Sequence, residues 1–357
     1  MKFSEKIIQW YKKNKRDLPW RNTTDPYKIW LSEVILQQTR IDQGLSYYLR
    51  FCDNYPNVKL LASASEEQVL KLWQGLGYYS RARNMYKTAR IIVDKYHGQF
   101  PDNYSDIINL KGIGDYTAAA IISFAYNQVY PVVDSNVMRF LARLNGIKTP
   151  INTNKGKKEI YLLTLELIDH KHPGEFNQAI MEFGALQCKP NKPDCEVCIF
   201  NSECKALKKN MISDIPVKIK TLKIRKRYFH YFLLTDNNQI YLNKRTSNDI
   251  WQNLYDFPLI ESNRFIFDKD IAEEFEKQFN ISKDQFKVLS ISGEYKHILT
   301  HQRISARFYV INFHNQSFFH KIKSLNSNQF ISVDIGSVNQ YPLPRLIDKY
   351  LTENHFI

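Results

Sequence analysis

The sequence predicts two domains of different class, an all-α domain followed by an α+β domain, and three observations carry that reading. At 357 residues the chain is long enough for two hydrophobic cores. Before residue 205, apolar residues recur at helical spacing in PYKIWLSEVILQQT, VLKLWQGLGYYSRARNMYKTARIIVDKY and SNVMRFLARL, separated by short Gly, Pro or Asn breaks. After residue 227 the period becomes that of strands. YFHYFLLT, DNNQ and IYLNKRT read as a hairpin, and KVLSIS, YKHILTHQ and ISARFYVINF read as further strands, with helices near Ile271 to Phe279 and Leu343 to Leu351. The boundaries that follow are a helical domain over 1–204, a linker over 205–227 and a second domain over 228–357.

The charge says what kind of partner to expect. A net charge of +14 and a pI of about 9.3 favour a polyanion such as nucleic acid over an acidic small molecule. From Lys205 to Arg227 there are nine Lys or Arg against one acid, Asp214. That stretch reads either as a solvated linker lying along phosphates or as a purely solubilising one. The opening MKFSEKIIQWYKKNKR has the pattern of an amphipathic helix, without the apolar segment and cleavage site of a signal peptide, and no stretch is apolar enough to span a membrane. The expected location is the cytoplasm.

Taken in order, the helical elements carry the candidate chemistry. On PYKIWLSEVILQQT, Glu33 shares a helical face with Ile29, Trp30 and Leu36. A carboxyl on such an apolar stripe is desolvated, which raises its pKa and suits it to general acid catalysis; a surface Glu at the edge of the stripe is the alternative. In LKGIGDYTA, residues 110–118, Gly112 and Gly114 interrupt two helical patterns, forming a helix-hairpin-helix. Its hairpin amides and second-helix N-terminus make a site suited to phosphate, or else only a turn. Asp134, in VVDSN, stands at the N-cap position of the helix that follows, and capping alone explains an aspartate there. Four of the five cysteines, Cys188, Cys195, Cys198 and Cys204, are spaced C-x6-C-x2-C-x5-C. Such clustering argues for a metal, zinc or iron-sulfur, and one close pair with longer arms favours a [4Fe-4S] cube over a two-knuckle zinc ribbon. Cys52 stands apart and reads as a packed or idle thiol on a helix.

Together, the hairpin LKGIGDYTA, the downstream VDSNVMRFLAR and the four-cysteine segment resemble the helix-hairpin-helix DNA glycosylases that carry an iron-sulfur cluster. Within that superfamily RDLPWR, SEVILQQTR and WQGLGYYSRARN are similar to the MutY family of adenine DNA glycosylases, closely over residues 5–204 and more loosely over 228–357, where that family has a Nudix-like domain. The resemblance implies a monomeric enzyme acting on double-stranded DNA and removing adenine mispaired with 8-oxoguanine. It implies that Glu33 protonates a purine ring nitrogen and that Asp134 stabilises the oxocarbenium-like cation at C1′. Tyr116 occupies the position where lyase relatives hold a lysine, and a phenol forms no Schiff base, which points to a monofunctional glycosylase.

Other roles come from the same resemblance. Gly112 to Gly114 would grip a phosphate, Gln38 and Tyr78 would be inserted around the orphaned base, and Arg16, Arg21 and Gln178 would line the adenine pocket. Leu299, Thr300 and His301 align with a Phe-Ser-His loop that contacts 8-oxoguanine. From their residue types alone, Tyr78 also reads as a core aromatic, Thr300 as a solvent-facing strand residue, Arg16 and Arg21 as exposed charges, and Arg81 and Arg83 as solvated charges or phosphate contacts. Two positions depart from the family, Ser135 in place of the commoner glycine and Lys111 in place of proline. WQNLYDFPL resembles the entry to a Nudix box, but no R-E-x-x-E-E array follows it, so this domain reads as a recognition module without the carboxylates for Mg²⁺.

Overall fold

The computed structural model describes residues 1–219, 224–236, 238–314 and 330–356. By its internal contacts the chain forms two units. One joins Met1–Ser63 to the chain from Asn84 to residue 219, and the other joins Ala64–Arg83 to the chain from residue 224 onward. Among the described residues, no helix is long and apolar enough to cross a membrane.

The first unit is helical. It contains α1 (Phe3–Asn14), α2 (Pro26–Leu36), α3 (Ile41–Asn54) and α4 (Val58–Ser63). Helix α5 (Glu66–Leu72) lies in the second unit, and α6 (Ser80–Tyr96) starts in the second unit's stretch of chain and ends in the first. Helices α7 (Tyr104–Ile108), α8 (Asp115–Tyr126), α9 (Ser135–Asn145), α10 (Asn154–Leu167), α11 (Pro173–Leu186) and the short α12 (Lys205–Lys208) complete the first unit. Helix α2 begins with the Asp25 carboxylate accepting from the Tyr27 amide at 2.9 Å and with Pro26 in its first turn. Its residues Ile29 to Ile35 are all buried, so it is a core helix and not an amphipathic one. Helix α11 packs against α1, α8 and α9, contributing Phe176, Ala179, Ile180 and Phe183, none of which reaches solvent.

Between α7 and α8 the hairpin is formed as expected, but its two glycines differ. Gly112 has φ +76°, and a Cβ there would meet the Asn84 Cβ at 2.7 Å. Gly114 has φ −105° and ψ 178°, angles open to any residue. The expected conformational need for glycine therefore applies at Gly112, whereas at Gly114 the missing side chain leaves open space at the head of α8.

The basic stretch is also not the free tether its charge suggests. Ala206 and Ile215 are fully buried, Ile151 N–H donates to the Val217 carbonyl at 3.0 Å, and Asn152 brackets Ile219 with bonds of 2.8 and 3.0 Å. Apolar residues interleaved with the lysines fasten residues 205–219 to the helical unit. Residues 220–223 of the expected linker lie outside the described residues, and Arg225 to Arg227 already belong to a strand.

The second unit is built on a mixed sheet. Its strands are β1 (Arg225–Asp236), β2 (Gln239–Lys244), β3 (Tyr255–Asp256), β4 (Leu259–Ser262), β5 (Phe286–Ile291), β6 (Tyr295–Ile298), β7 (Gln302–Phe313) and β8 (Phe330–Asp334). The main order is β3-β2-β1-β7-β5, with β1 and β7 parallel and Tyr231 opposite Phe308. Alternation along the strands gives each face an aromatic layer. On one face Phe232 meets Phe275 of α13 (Ile271–Phe279), ring centroids 4.7 Å apart. On the other, Phe308 stacks at 3.8 Å on Tyr350 of α14 (Arg345–Glu353). Arg227, expected as a linker charge, is buried between Asp249 and Glu261, at 2.6 Å from each.

Close approach of α11 to the head of α9 makes one residue critical. A Cβ on Gly184 would sit 2.6 Å from the Asn136 carbonyl oxygen and 2.7 Å from its carbon, both backbone atoms that cannot rotate away. Gly184→Ala should destabilise the helical unit by roughly 1 to 3 kcal/mol. A midpoint of urea unfolding equal to that of the parent would show that the two helices are not in contact there.

Candidate active site

Glu33 from α2, Tyr116 from the first turn of α8 and Asp134 at the head of α9 line one cleft of about 770 Å³. Each is placed by local structure. Glu33 faces inward from a helix buried on all sides and is itself only 8% exposed. Tyr116 follows directly on the hairpin, and its hydroxyl lies beside the Glu33 carboxyl, close enough to favour the charged form. Asp134 caps α9: its Oδ1 accepts from the Asn136 and Val137 amides, both at 2.8 Å, and its Oδ2 accepts from the Asn136 side chain at 2.6 Å. Capping and lining the cleft are thus properties of the same aspartate.

The electrostatics separate the two carboxyls. Burial raises the Glu33 carboxyl to about 7, with a further push from the Asp134 charge, against the opposing pull of the Tyr116 hydrogen bond and of Arg21. Burial also raises Asp134, but the backbone and side-chain donors of Val137 and Asn136 oppose it. Burial and both carboxylate charges push the Tyr116 phenol well above its ordinary value, so it remains a hydrogen-bond donor.

Arg16, Arg21 and Gln178 line the same cleft. The two arginines are not ordinary exposed charges, because both are paired to Glu182 of α11, whose side chain is fully buried. Arg16 and Arg21 each make two side-chain bonds to it, and the Arg16 amide makes another at 3.0 Å. Burial alone would raise Glu182, but the two guanidiniums outweigh it and hold the carboxyl at about 2. Gln178 accepts from the Tyr11 hydroxyl at 2.7 Å, which fixes its amide orientation. Glu182 and Tyr11 were not singled out in the sequence. The available signal was an acid four residues after Gln178 on the apolar helix GEFNQAIMEFGAL.

A second cleft, about 1250 Å³, shares Glu33, Tyr116 and Asp134 with the first and is also lined by Gln38, Gly112 and Gly114. Gln38 has φ +56°, a left-handed conformation that a non-glycine residue adopts at a cost.

In the second unit, Tyr78 is 44% exposed with φ +49°, which removes the core-aromatic reading. Its hydroxyl lies 2.5 Å from the Thr300 hydroxyl. Thr300 and His301 are exposed on the turn joining β6 to β7, where the Leu299 amide donates to the Gln302 carbonyl at 2.9 Å, so Thr300 is not a strand residue. Arg81 is buried against the Trp73 ring at 4.9 Å and Arg83 donates to the Gln252 carbonyl at 2.9 Å; neither is a solvated charge.

Cys188, Cys195, Cys198 and Cys204 ring one hollow between Phe140, Phe183, Phe200 and Arg143. Among the described residues no three His, Cys, Asp or Glu side chains are gathered as a single bound ion would require. Four soft thiols around one hollow are a donor set of the kind that soft metals take. Arg143 binds the Lys189 and Pro190 carbonyls at 2.7 and 3.0 Å and reaches the Cys188 sulfur at 3.6 Å, a positive charge where thiolate charge would collect.

Two carboxyls in one cleft, Glu33 buried and Asp134 partly so, stand beside a helix-hairpin-helix, and comparisons with known proteins give the class, a base-excision DNA glycosylase. A family model described as HhH-GPD superfamily base excision DNA repair protein matches residues 31–168, and a NUDIX domain model matches residues 230–353. The adenine DNA glycosylase of Buchnera aphidicola subsp. Baizongia pistaciae is 35% identical over 354 residues, covering 98% of this chain and 96% of that protein. The Homo sapiens adenine DNA glycosylase is 40% identical over 213 residues, 57% of this chain and 39% of that protein. Among solved structures, a thermostable thymine-DNA glycosylase is 30% identical with a TM-score of 0.54, covering 58% of this chain and 95% of that one. An endonuclease III–DNA complex shares the fold at 20% identity and a TM-score of 0.51, covering 58% and 94%. The chain belongs to the adenine DNA glycosylase family.

Keeping Glu33 dry has a thermodynamic sign. Below about pH 4.5 folded and unfolded states both hold its proton; between 4.5 and about 7 only the folded state does, and stability falls until both have lost it. The full cost above pH 7 is roughly 3 kcal/mol. Glu33→Gln, which can still accept from Tyr116, should therefore be more stable than the parent in urea at pH 8 by up to that amount and equal to it near pH 4. A gain of the same size at both pH values would mean that the carboxyl is not the group responsible.

Proposed function

We propose that this DNA glycosylase excises adenine mispaired with 8-oxoguanine, or with guanine, by monofunctional hydrolysis that leaves an abasic site. The observation that carries the reading is the Tyr116 hydroxyl on the Glu33 carboxyl, at the position from which a lyase would need an amine. Residues 1–204 would supply the chemistry, 205–227 the basic connection, and 228–357 the reading of the opposite base.

In this mechanism the nucleotide leaves the stack, and the adenine enters the cleft walled by Arg16, Arg21 and Gln178. Glu33, half protonated near pH 7, gives its proton to a ring nitrogen of the base. The C1′–N9 bond breaks with its electron pair leaving on the base, and the cationic sugar forms beside the Asp134 carboxylate. Water adds at C1′ and loses a proton, releasing free adenine and an intact phosphate backbone. Gln38 and Tyr78 fill the space left in the duplex, and the Gly112 to Gly114 hairpin holds a neighbouring phosphate.

Recognition of the opposite base falls to the turn at Thr300 and His301. 8-Oxoguanine carries a hydrogen on N7 where guanine offers a lone pair. If the Thr300 hydroxyl donates to Tyr78, it keeps lone pairs to accept from that hydrogen and repels the guanine nitrogen. The four cysteines fit a [4Fe-4S] cluster, which would tie α9, α11 and the loop over 188–204 together; Arg139 donates to the Cys188 carbonyl at 2.8 Å and to Asn136, the partner of Asp134, at 3.0 Å.

Four measurements test the proposal. On a duplex with adenine opposite 8-oxoguanine, strand breaks should appear only after alkali. Glu33→Gln should bind but not excise, and Thr300→Ala should narrow the preference over adenine opposite guanine by roughly 5- to 150-fold in single-turnover rates. Breaks without alkali, or an unchanged preference, would contradict the monofunctional and reading assignments respectively. Purified protein should also be yellow-brown and contain iron; stoichiometric zinc without iron would reverse the cluster assignment.

A further inference from the structure

The second cleft does not end at the catalytic residues. It is lined also by Tyr104, Tyr130 and, on α10, by Lys157, Lys158 and Tyr161. The Tyr104 and Tyr130 rings lie parallel, 4.7 Å apart and 2° from coplanar orientation. The Tyr104 hydroxyl donates to Asp115 at 3.1 Å, which anchors the ring and occupies the one acid of this far part of the cleft. Tyr161 is 41% exposed and both lysines are exposed. Neither lysine forms an ion pair among the described residues, and nothing in the core requires a tyrosine on the outer face of α10.

We propose that this annex seats the DNA strand next to the flipped nucleotide, Lys157 and Lys158 taking its phosphates and the tyrosine faces carrying the adjoining sugar and base. This rests on the function proposed above. Continuity supports it, because a strand whose base reaches Glu33 must leave through an opening that shares Glu33, Tyr116 and Asp134. The first cleft is walled by the Glu182 ion pairs, whereas the second opens past the hairpin amides. Charge supports it too, since cations beside aromatic faces are the pairing that single-stranded and unstacked nucleic acid selects. An acidic peptide would use the lysines but not three tyrosine rings.

The test uses the full chain and a duplex carrying a stable abasic analogue opposite 8-oxoguanine, so it reads binding and needs no excision. Lys157→Ala with Lys158→Ala should weaken binding roughly 10- to 50-fold at 0.1 M salt and lower the salt slope by about two. Tyr161→Ala should weaken it roughly 5- to 100-fold, with Tyr161→Phe close to the parent. Lys2→Ala with Lys13→Ala, exposed lysines just before and near the end of α1, is the control for net charge and should leave the slope unchanged. A lysine pair that matches this control, a Tyr161→Ala variant that binds as the parent does, or a poly-glutamate peptide held there and not displaced by duplex would each overturn the proposal. A parent protein that binds this duplex as expected but excises no adenine would instead overturn the proposed function and leave the annex standing.

Discussion

The site depends on keeping one carboxyl out of water. Glu33 sits on a helix whose neighbours on every side are buried, and the hydroxyl of Tyr116 is a neutral partner in place of a cation. Had Arg21 paired directly with Glu33, the carboxyl would be held ionised and useless as an acid near neutral pH. Arg21 is instead committed to Glu182, together with Arg16, and acts on Glu33 only as a more distant charge. The buried Glu182 pairs thus do two things. They satisfy an acid that could not otherwise be buried, and they keep two guanidiniums in the cleft without placing either on the Glu33 carboxyl.

The second carboxyl is also raised by burial, but against more donors. Asp134 receives three hydrogen bonds from Val137 and Asn136, which favour its charged form and fix its orientation. Burial raises both carboxyls, but at Asp134 the Val137 and Asn136 donors oppose the rise, while Glu33 is pushed further up by the Asp134 charge. The support extends further back. Arg139 holds Asn136 from behind and also binds the Gly184 and Cys188 carbonyls, so the position of Asp134 depends on the α9–α11 contact and on the start of the cysteine loop. A side chain at Gly184 would press on the same peptide group that positions the aspartate.

Much of this was legible in the sequence because it is local. Helical and strand periods, the hairpin, the cap at Asp134 and the cysteine spacing are all short-range patterns, and Glu33 betrays itself by sharing a face with Ile29 and Trp30. What could not be read is set by contacts distant in sequence. The partner of Arg16 and Arg21 lies more than 160 residues away. Residues 64–83 look like the helices around them, and only their packing, as in the bonds of Glu67 to Tyr255 and Gln74 to Asp348, assigns them to the second unit. The basic stretch misleads for a related reason: nine charges dominate its composition, while the few apolar residues that dock it, Ala206 and Ile215, carry the energy. Gly114 shows the limit of residue-type inference, since glycine serves there by lacking a side chain and not by its backbone angles.

Glu33, Tyr116 and Asp134 all come from the first unit, whereas Tyr78 and Thr300 belong to the second. The inserted segment is what makes this division possible, because it gives the second unit an exposed tyrosine that the helical unit's own chain encodes. The chemistry at the glycosidic bond is the same for every adenine, so the acid and the aspartate alone cannot tell a mispair from a normal one. On the proposed function, discrimination would fall to groups that meet the opposite base, and the Tyr78–Thr300 hydroxyl pair is the candidate for it. On that proposal, with Thr300 donating to Tyr78, the contact at Thr300 would change from attractive to repulsive when the N7 donor of 8-oxoguanine becomes the acceptor of guanine. Tyr78 itself holds a left-handed conformation, which a non-glycine residue adopts at a cost in stability and which sets its exposed ring beside Thr300.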